Sequence, residues 1–138
     1  MKILVAVDGS IHSYDAVDHV VRLARELRTC EVILVNVQET IEFRALALYR
    51  EEMLAELHEN CDAALAGARE RLQAAGLTHE ERREIGEPAE MIAEIATVEK
   101  VDLVVLGTRG LGSIAGLLFG SVAMKVLHLV EMPVTLVK

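Results

Sequence analysis

Gly107, Gly110, Gly112, Gly116 and Gly120 fall within one stretch, joined by the hydroxyls of Thr108, Ser113 and Ser121, and Arg109 is the only charged side chain between Asp102 and Lys125. Glycine lets a backbone approach a ligand closely and adopt positive φ, so such a stretch can present many N–H groups to an anion. A helix starting near Ser121 adds the partial positive charge of its N-terminus, which suits a polyphosphate. The plain alternative is a glycine-rich connection that only turns tightly. A second small constellation, Asp8-Gly9-Ser10, closes an apolar run near the start of the chain.

Known chemistries can be tested against these residues. As a Walker A loop, Gly107 and Gly112 would be the two glycines, but Ser113 and Ile114 then stand where Lys and Ser/Thr are required, which rejects a P-loop NTPase. As a dinucleotide fingerprint, Gly110, Gly112 and Ala115 match G-x-G-x-x-A, yet the stretch follows the fourth strand and no acidic residue ends the next one. Asp8 as the phospho-acceptor of a receiver domain would need further acids at strand ends, and no other strand ends in one. His12, His19, His58, His79 and His128 show no HxxxH or HExxH spacing, and Cys30 and Cys61 form no CxxC, so neither a metal centre nor a redox pair is expected.

The elements that must position these residues follow from periodicity. Lys2–Val7 and Val32–Val37 are short apolar runs of the kind buried on both faces of a parallel sheet. From Ser13, a candidate N-cap, to Arg28, the residues Ala16, Val17, Val20, Val21, Ala24 and Leu27 recur at helical steps. Leu54, Leu57, Cys61, Leu65, Ala68 and Leu72 mark a second helix closing near Gly76. Between them Gln38–Met53 has no clean period, and Leu46, Leu48, Tyr49 and Met53 read either as a flap over the site or as ordinary helix packing. Thr78–Ile85 is apolar only at its end; as a strand, its charges suit a sheet edge that resists pairing. Glu87-Pro88 opens a third helix, Leu103–Leu106 is a fourth strand, a helix runs from Ser121 to Leu129, and Val134–Val137 is the last strand.

This βαβαβαβαβ string implies an α/β fold, a single doubly wound five-stranded parallel sheet with helices on both faces. The simplest strand order, 3-2-1-4-5, makes the first and fourth strands neighbours and brings both loops to one crevice at their carboxyl ends. With 138 residues and 52% of them hydrophobic, one domain with its own core is expected. The net charge of −8 opposes binding to nucleic acid or an anionic membrane, and 3% aromatics without Trp leaves no stacking platform for single strands. No apolar run has the length of a signal or membrane span, so neither export nor membrane insertion is expected.

The spacing Gly107, two residues, Gly110, nine residues from Leu111 to Phe119, then Gly120-Ser121 resembles the G-2x-G-9x-G-[S/T] ATP-binding signature of the universal stress protein family. Val5-Ala6-Val7-Asp8-Gly9-Ser10, Gly86-Glu87-Pro88, Asp102–Gly107 and Pro133-Val134 resemble that family at the same places, so the likeness spans essentially the whole chain, residues 1–138. The resemblance implies a cytoplasmic, dimeric, ATP-binding protein of stress response or signalling, taking ATP with Mg2+. Carried over by position, Asp8 lies near the adenosine and Val37 offers backbone to the adenine. Gly107, Arg109, Gly110, Gly112, Ser113, Gly120, Ser121 and Val122 surround ribose and phosphates. The charged third strand and Glu131 depart from the family pattern. Val134, Thr135, Leu136 and Val137 form an uncharged edge that invites a homodimer. Fast phosphoryl transfer needs more than Asp8 and Arg109 supply, so slow ATP hydrolysis or autophosphorylation is the most that is expected. The alternatives are a partner-binding protein that needs no nucleotide, and a nucleotidyl-transfer enzyme, whose S-G-G-x-D-like loop Asp8-Gly9-Ser10 does not match.

Overall fold

The computed structural model describes residues 1–39, 50–109 and 119–138. Its elements are β1 (Lys2–Ala6), α1 (Ile11–Ala24), β2 (Glu31–Gln38), α2 (Arg50–Ala74), β3 (His79–Ile85), α3 (Pro88–Val98), β4 (Leu103–Gly107), α4 (Ser121–Leu129) and β5 (Val134–Val137). All four strand pairs are parallel and the sheet order is β3-β2-β1-β4-β5, as expected.

Period-two alternation along the inner strands divides the core between the two faces of the sheet. Ile3, Val5, Val7, Val32, Leu34, Leu103 and Val105 point to one face, where they meet Ala16, Val17 and Val20 of α1 and Leu65, Ala68 and Leu72 of α2. Leu4, Ile33, Val35, Val104 and Leu106 point to the other, against Ala89, Ile92 and Ala96 of α3 and Ala123 and Val126 of α4. Every one of these side chains is at least nine-tenths buried, which is why the strands read as unbroken apolar runs.

Two expectations about α1 need correction. Its N-cap is Ser10, not Ser13: the Ser10 backbone is extended and its side chain accepts from the Ser13 N–H at 3.2 Å. Ser13 lies inside the helix, buried, with its hydroxyl donating to the Ser10 carbonyl at 2.8 Å. The helix ends at Ala24 rather than Arg28, because the N–H groups of Arg25, Glu26 and Leu27 turn back to carbonyls three residues earlier. Leu27 still packs on the first core, but from a turn.

His79–Ile85 is a strand, pairing with β2 at the sheet edge, and Glu80, Glu81, Arg82 and Arg83 are ion-paired. Arg69 of α2 holds Glu81 through two hydrogen bonds of 2.6 and 2.9 Å, and Arg82 reaches Glu99 at 2.6 Å. Glu87 caps α3 by accepting from the Glu90 N–H at 2.8 Å, with Pro88 in the first turn. Residues Leu46, Leu48 and Tyr49 lie outside the described residues; Met53 is a half-buried residue of α2.

Candidate functional site

Strand register places the carboxyl ends of β1, β2 and β4 level with one another. Ala6 is opposite both Val35 and Leu106, so two residues further on Asp8, Val37 and Thr108 stand side by side where the chain leaves the sheet. Here the strand order reverses, the position at which open α/β sheets bind ligands.

The chain leaves β1 and β4 there in different ways. After β1, Gly9 adopts φ +85°, a backbone state a side chain would strain, and the Asp8 carboxylate accepts from the Ser10 N–H at 2.9 Å. Ser10 in turn caps α1, so this turn uses its side chains to satisfy itself and the helix. After β4, the buried Thr108 fixes both ends of the glycine-rich segment. Its N–H donates to the Val137 carbonyl at 2.7 Å, and its carbonyl accepts from the Gly120 N–H at 2.6 Å. The start of α4 is thereby tied to the end of β4.

That helix start differs from those of α1 and α3. Gly120 is the N-cap residue of α4 and, among the described residues, no side chain caps it, whereas Ser10 and Glu87 cap α1 and α3. The first-turn N–H groups of α4 carry the partial positive charge that attracts an anion. Ser121 is exposed in that turn and Arg109 is exposed one residue past Thr108. Val122 is half-buried with its side chain on the second core, so what it offers a ligand is backbone.

Of the residues singled out from sequence, Asp8, Val37, Gly107, Arg109, Gly120, Ser121 and Val122 come to this one edge. Gly110, Gly112 and Ser113 lie outside the described residues. Gly107 has a packing role of its own: a Cβ there would sit 2.7 Å from the His12 carbonyl oxygen, so α1 is seated directly on the end of β4.

One residue escaped the sequence reading. Asn36, 1% exposed, donates from its side-chain amide to the Val7 carbonyl at 2.7 Å and accepts from the Gln38 amide at 2.8 Å. It locks the exits of β1 and β2 together, beneath the level of Asp8 and Val37. Its signal was the lone polar residue within Val32–Val37.

Among the described residues no group of three or more His, Cys, Asp or Glu could hold a metal ion. Both cysteines are free thiols, and burial raises the pKa of each. No described helix is long and apolar enough to cross a membrane.

Comparison with known proteins agrees with this architecture over the full length. The model of the universal stress protein family matches residues 1–138. A universal stress protein of Thermus aquaticus is 33% identical over 137 residues, covering 99% of this chain and 97% of that protein. Among solved structures, hypothetical protein MJ0577 superposes with a TM-score of 0.88 at 29% identity, over 99% of this chain and 94% of that one. A universal stress protein solved in complex with cAMP superposes with a TM-score of 0.75 at 30% identity, over 100% of this chain and 97% of its own.

Proposed function

The chain belongs to the universal stress protein family, and from that premise we propose that it binds an adenine nucleotide, ATP with Mg2+, and acts as a nucleotide-dependent stress-response or signalling protein of the cytoplasm. The observation that carries this reading is the N-terminus of α4, without a side-chain cap among the described residues and tied through Gly120 and Thr108 to the end of β4 where the strand order reverses. Phosphates seated there meet backbone N–H groups, the Ser121 hydroxyl and the Arg109 cation. Gly107, Gly110, Gly112 and Ser113 belong to the same cradle. Asp8 and Val37, level with it on β1 and β2, face the adenosine. The complex of a 30% identical relative with cAMP supports the choice of an adenine ligand.

Magnesium fits as a companion of the nucleotide rather than as a resident ion, since it is commonly held through phosphate oxygens and one or two carboxylates. Asp8 is a carboxylate on this edge, on the strand next to β4. We also propose that the protein is a homodimer through β5, and that its output is recognition by a protein partner rather than rapid turnover.

Calorimetry with Mg-ATP on ligand-free protein tests the reading. Several amide and hydroxyl contacts, less the ordering they require, lead to micromolar affinity, about −8 kcal/mol. Gly110→Val should abolish the heat and leave the fold, and Asp8→Ala should weaken binding less. Purified protein extracted and assayed for adenine nucleotides gives a second readout. No heat, no thermal shift at millimolar nucleotide and no nucleotide in the extract would leave the nucleotide-independent partner protein in its place.

A further inference from the structure

Asn36 does more at the end of β2 than hold two strands together. Odd-numbered residues of β1 and β2 face one another across a regular parallel ladder. Its bonds run from Glu31 N–H, donating to the Met1 carbonyl at 3.0 Å, to Val7 N–H, donating to the Val35 carbonyl at 2.9 Å. The next rung of that pattern is Val37 N–H to the Val7 carbonyl. Among the described residues it is not formed, and the Val7 carbonyl accepts instead from the Asn36 side-chain amide at 2.7 Å. The rung after that, from Gly9 N–H to the Val37 carbonyl, is also not formed, because the chain turns away at Gly9 with φ +85°.

Side chains specify this replacement. Val32 and Leu34 pack on the α1 and α2 face and Ile33, Val35 and Val37 on the other, so alternation turns Asn36 to the first face, where it is 1% exposed. Its carbonyl oxygen accepts from the amide of half-buried Gln38 at 2.8 Å, which leaves its NH2 to meet the Val7 carbonyl. An apolar residue at position 36 would leave the carbonyl of Val7, itself 4% exposed, without that donor. Buried carbonyls are rarely left unpaired, and the donor the ladder offers in exchange is the Val37 N–H.

We infer, resting on the adenine-nucleotide reading of this edge, that Asn36 is a positioning residue for the base. By occupying the Val7 carbonyl it withholds the last rung of the ladder, so Val37 keeps its N–H and C=O, turned to the same side, for a donor and acceptor edge of the ligand. Adenine presents such an edge, a ring nitrogen that accepts beside an exocyclic amino group that donates. Asn36 itself acts only through Val37, and phosphates held at the Gly120 turn do not depend on it.

Two measurements on the full-length protein separate this role from plain stability. In ligand-free protein labelled with ¹⁵N and ¹³C, coupling through a hydrogen bond from the Val37 nitrogen to the Val7 carbonyl carbon should be absent in wild type. It should appear in Asn36→Val and Asn36→Ala, with exchange of the Val37 amide slowed. Calorimetry should find ATP bound about tenfold more weakly by both variants, the loss of about one base hydrogen bond, and tripolyphosphate bound as by wild type. A merely loosened site would weaken both ligands together. The inference is overturned if the variants bind ATP as tightly as wild type, if tripolyphosphate weakens equally, or if the Val37 to Val7 coupling is already present in wild type. Should neither variant fold, the wild-type amide decides: Val37 must exchange fast in the free protein and become protected with ATP, and an amide protected beforehand or indifferent to ATP overturns the role. A wild type that binds no nucleotide overturns the nucleotide reading as well, and that outcome is seen before any variant is made.

Discussion

Gly107 has a structural demand that a substitution separates from its place in the proposed anion cradle. As the last residue of β4 its value is the missing Cβ, which would fall 2.7 Å from the His12 carbonyl oxygen and 2.8 Å from the carbonyl carbon. Neither atom can rotate aside, because both belong to the backbone of α1. Gly107→Ala should therefore destabilise the protein before any ligand is considered, by about 1–3 kcal/mol, the usual cost of overpacking. Thermal melting of ligand-free protein checks this, and a melting temperature equal to wild type would mean that α1 is not seated there. The glycine spacing from Gly107 to Gly120 was legible because it is a local property of the chain, with Arg109 its one charge. The sequence did not show the role of Asn36, whose partner, the Val7 carbonyl, is 29 residues away in the chain. Ser10 and Ser13 illustrate the same limit: both are good capping residues, and only the extended backbone at Ser10 decides between them.

At the scale of the element, β1, β2, β4 and β5 were legible because burial on both faces, or packing at a strand end, demands continuous apolar residues. β3 was legible only through its charge, since ion pairs with α2 and α3 take the place of apolar contacts. Its centre is Glu81, held by Arg69, by His79 at 3.3 Å and by Arg83 at 2.9 Å. The hydrogen bonds from Arg69 are the main cause that lowers its pKa from 4.5 to about 2. A carboxylate whose folded-state pKa is depressed contributes stability above its unfolded pKa and loses it as pH falls towards the folded value. Here that window runs from about 4.5 down to about 2. Glu81→Gln should cost about 1–2 kcal/mol at neutral pH, a half-buried charged hydrogen-bond pair being worth more than a surface ion pair. Urea midpoints of the two proteins at pH 7 and pH 3 provide the measurement. The gap should narrow at pH 3; a gap of constant size would show that ionisation of Glu81 is not what holds β3 to α2.

For the whole molecule the question is what covers β5, the strand at the edge opposite β3. Val134, Thr135, Leu136 and Val137 are each half-buried, so the strand carries partly exposed apolar surface and one row of backbone groups without a strand beside it. Lys125 of α4 pairs with α3, and helical periodicity turns Met124 and Leu127, 40% and 39% exposed, to the side away from α3, extending the apolar strip beside β5. Two copies paired antiparallel through β5 about a two-fold axis would satisfy both rows and bury both strips. The parallel ladder decides which backbone groups take part. Pro133 accepts from Val104 and Val137 accepts from Thr108, and since alternate residues of a strand face the same neighbour, Thr135 also faces β4 while Val134 and Leu136 turn outward. A proline at Thr135 should therefore loosen β5 from its own sheet, and Leu136→Lys would disturb the core on which Leu136 packs. The discriminating comparison sets Leu136→Pro, which removes one outward N–H where an edge strand tolerates proline, against Leu136→Ala, which removes the same core packing and keeps that N–H. Light scattering coupled to size exclusion should find wild type and the alanine variant dimeric at tens of micromolar and the proline variant monomeric. A monomeric wild type would exclude the dimer, and a proline variant that stays dimeric would place the interface away from β5.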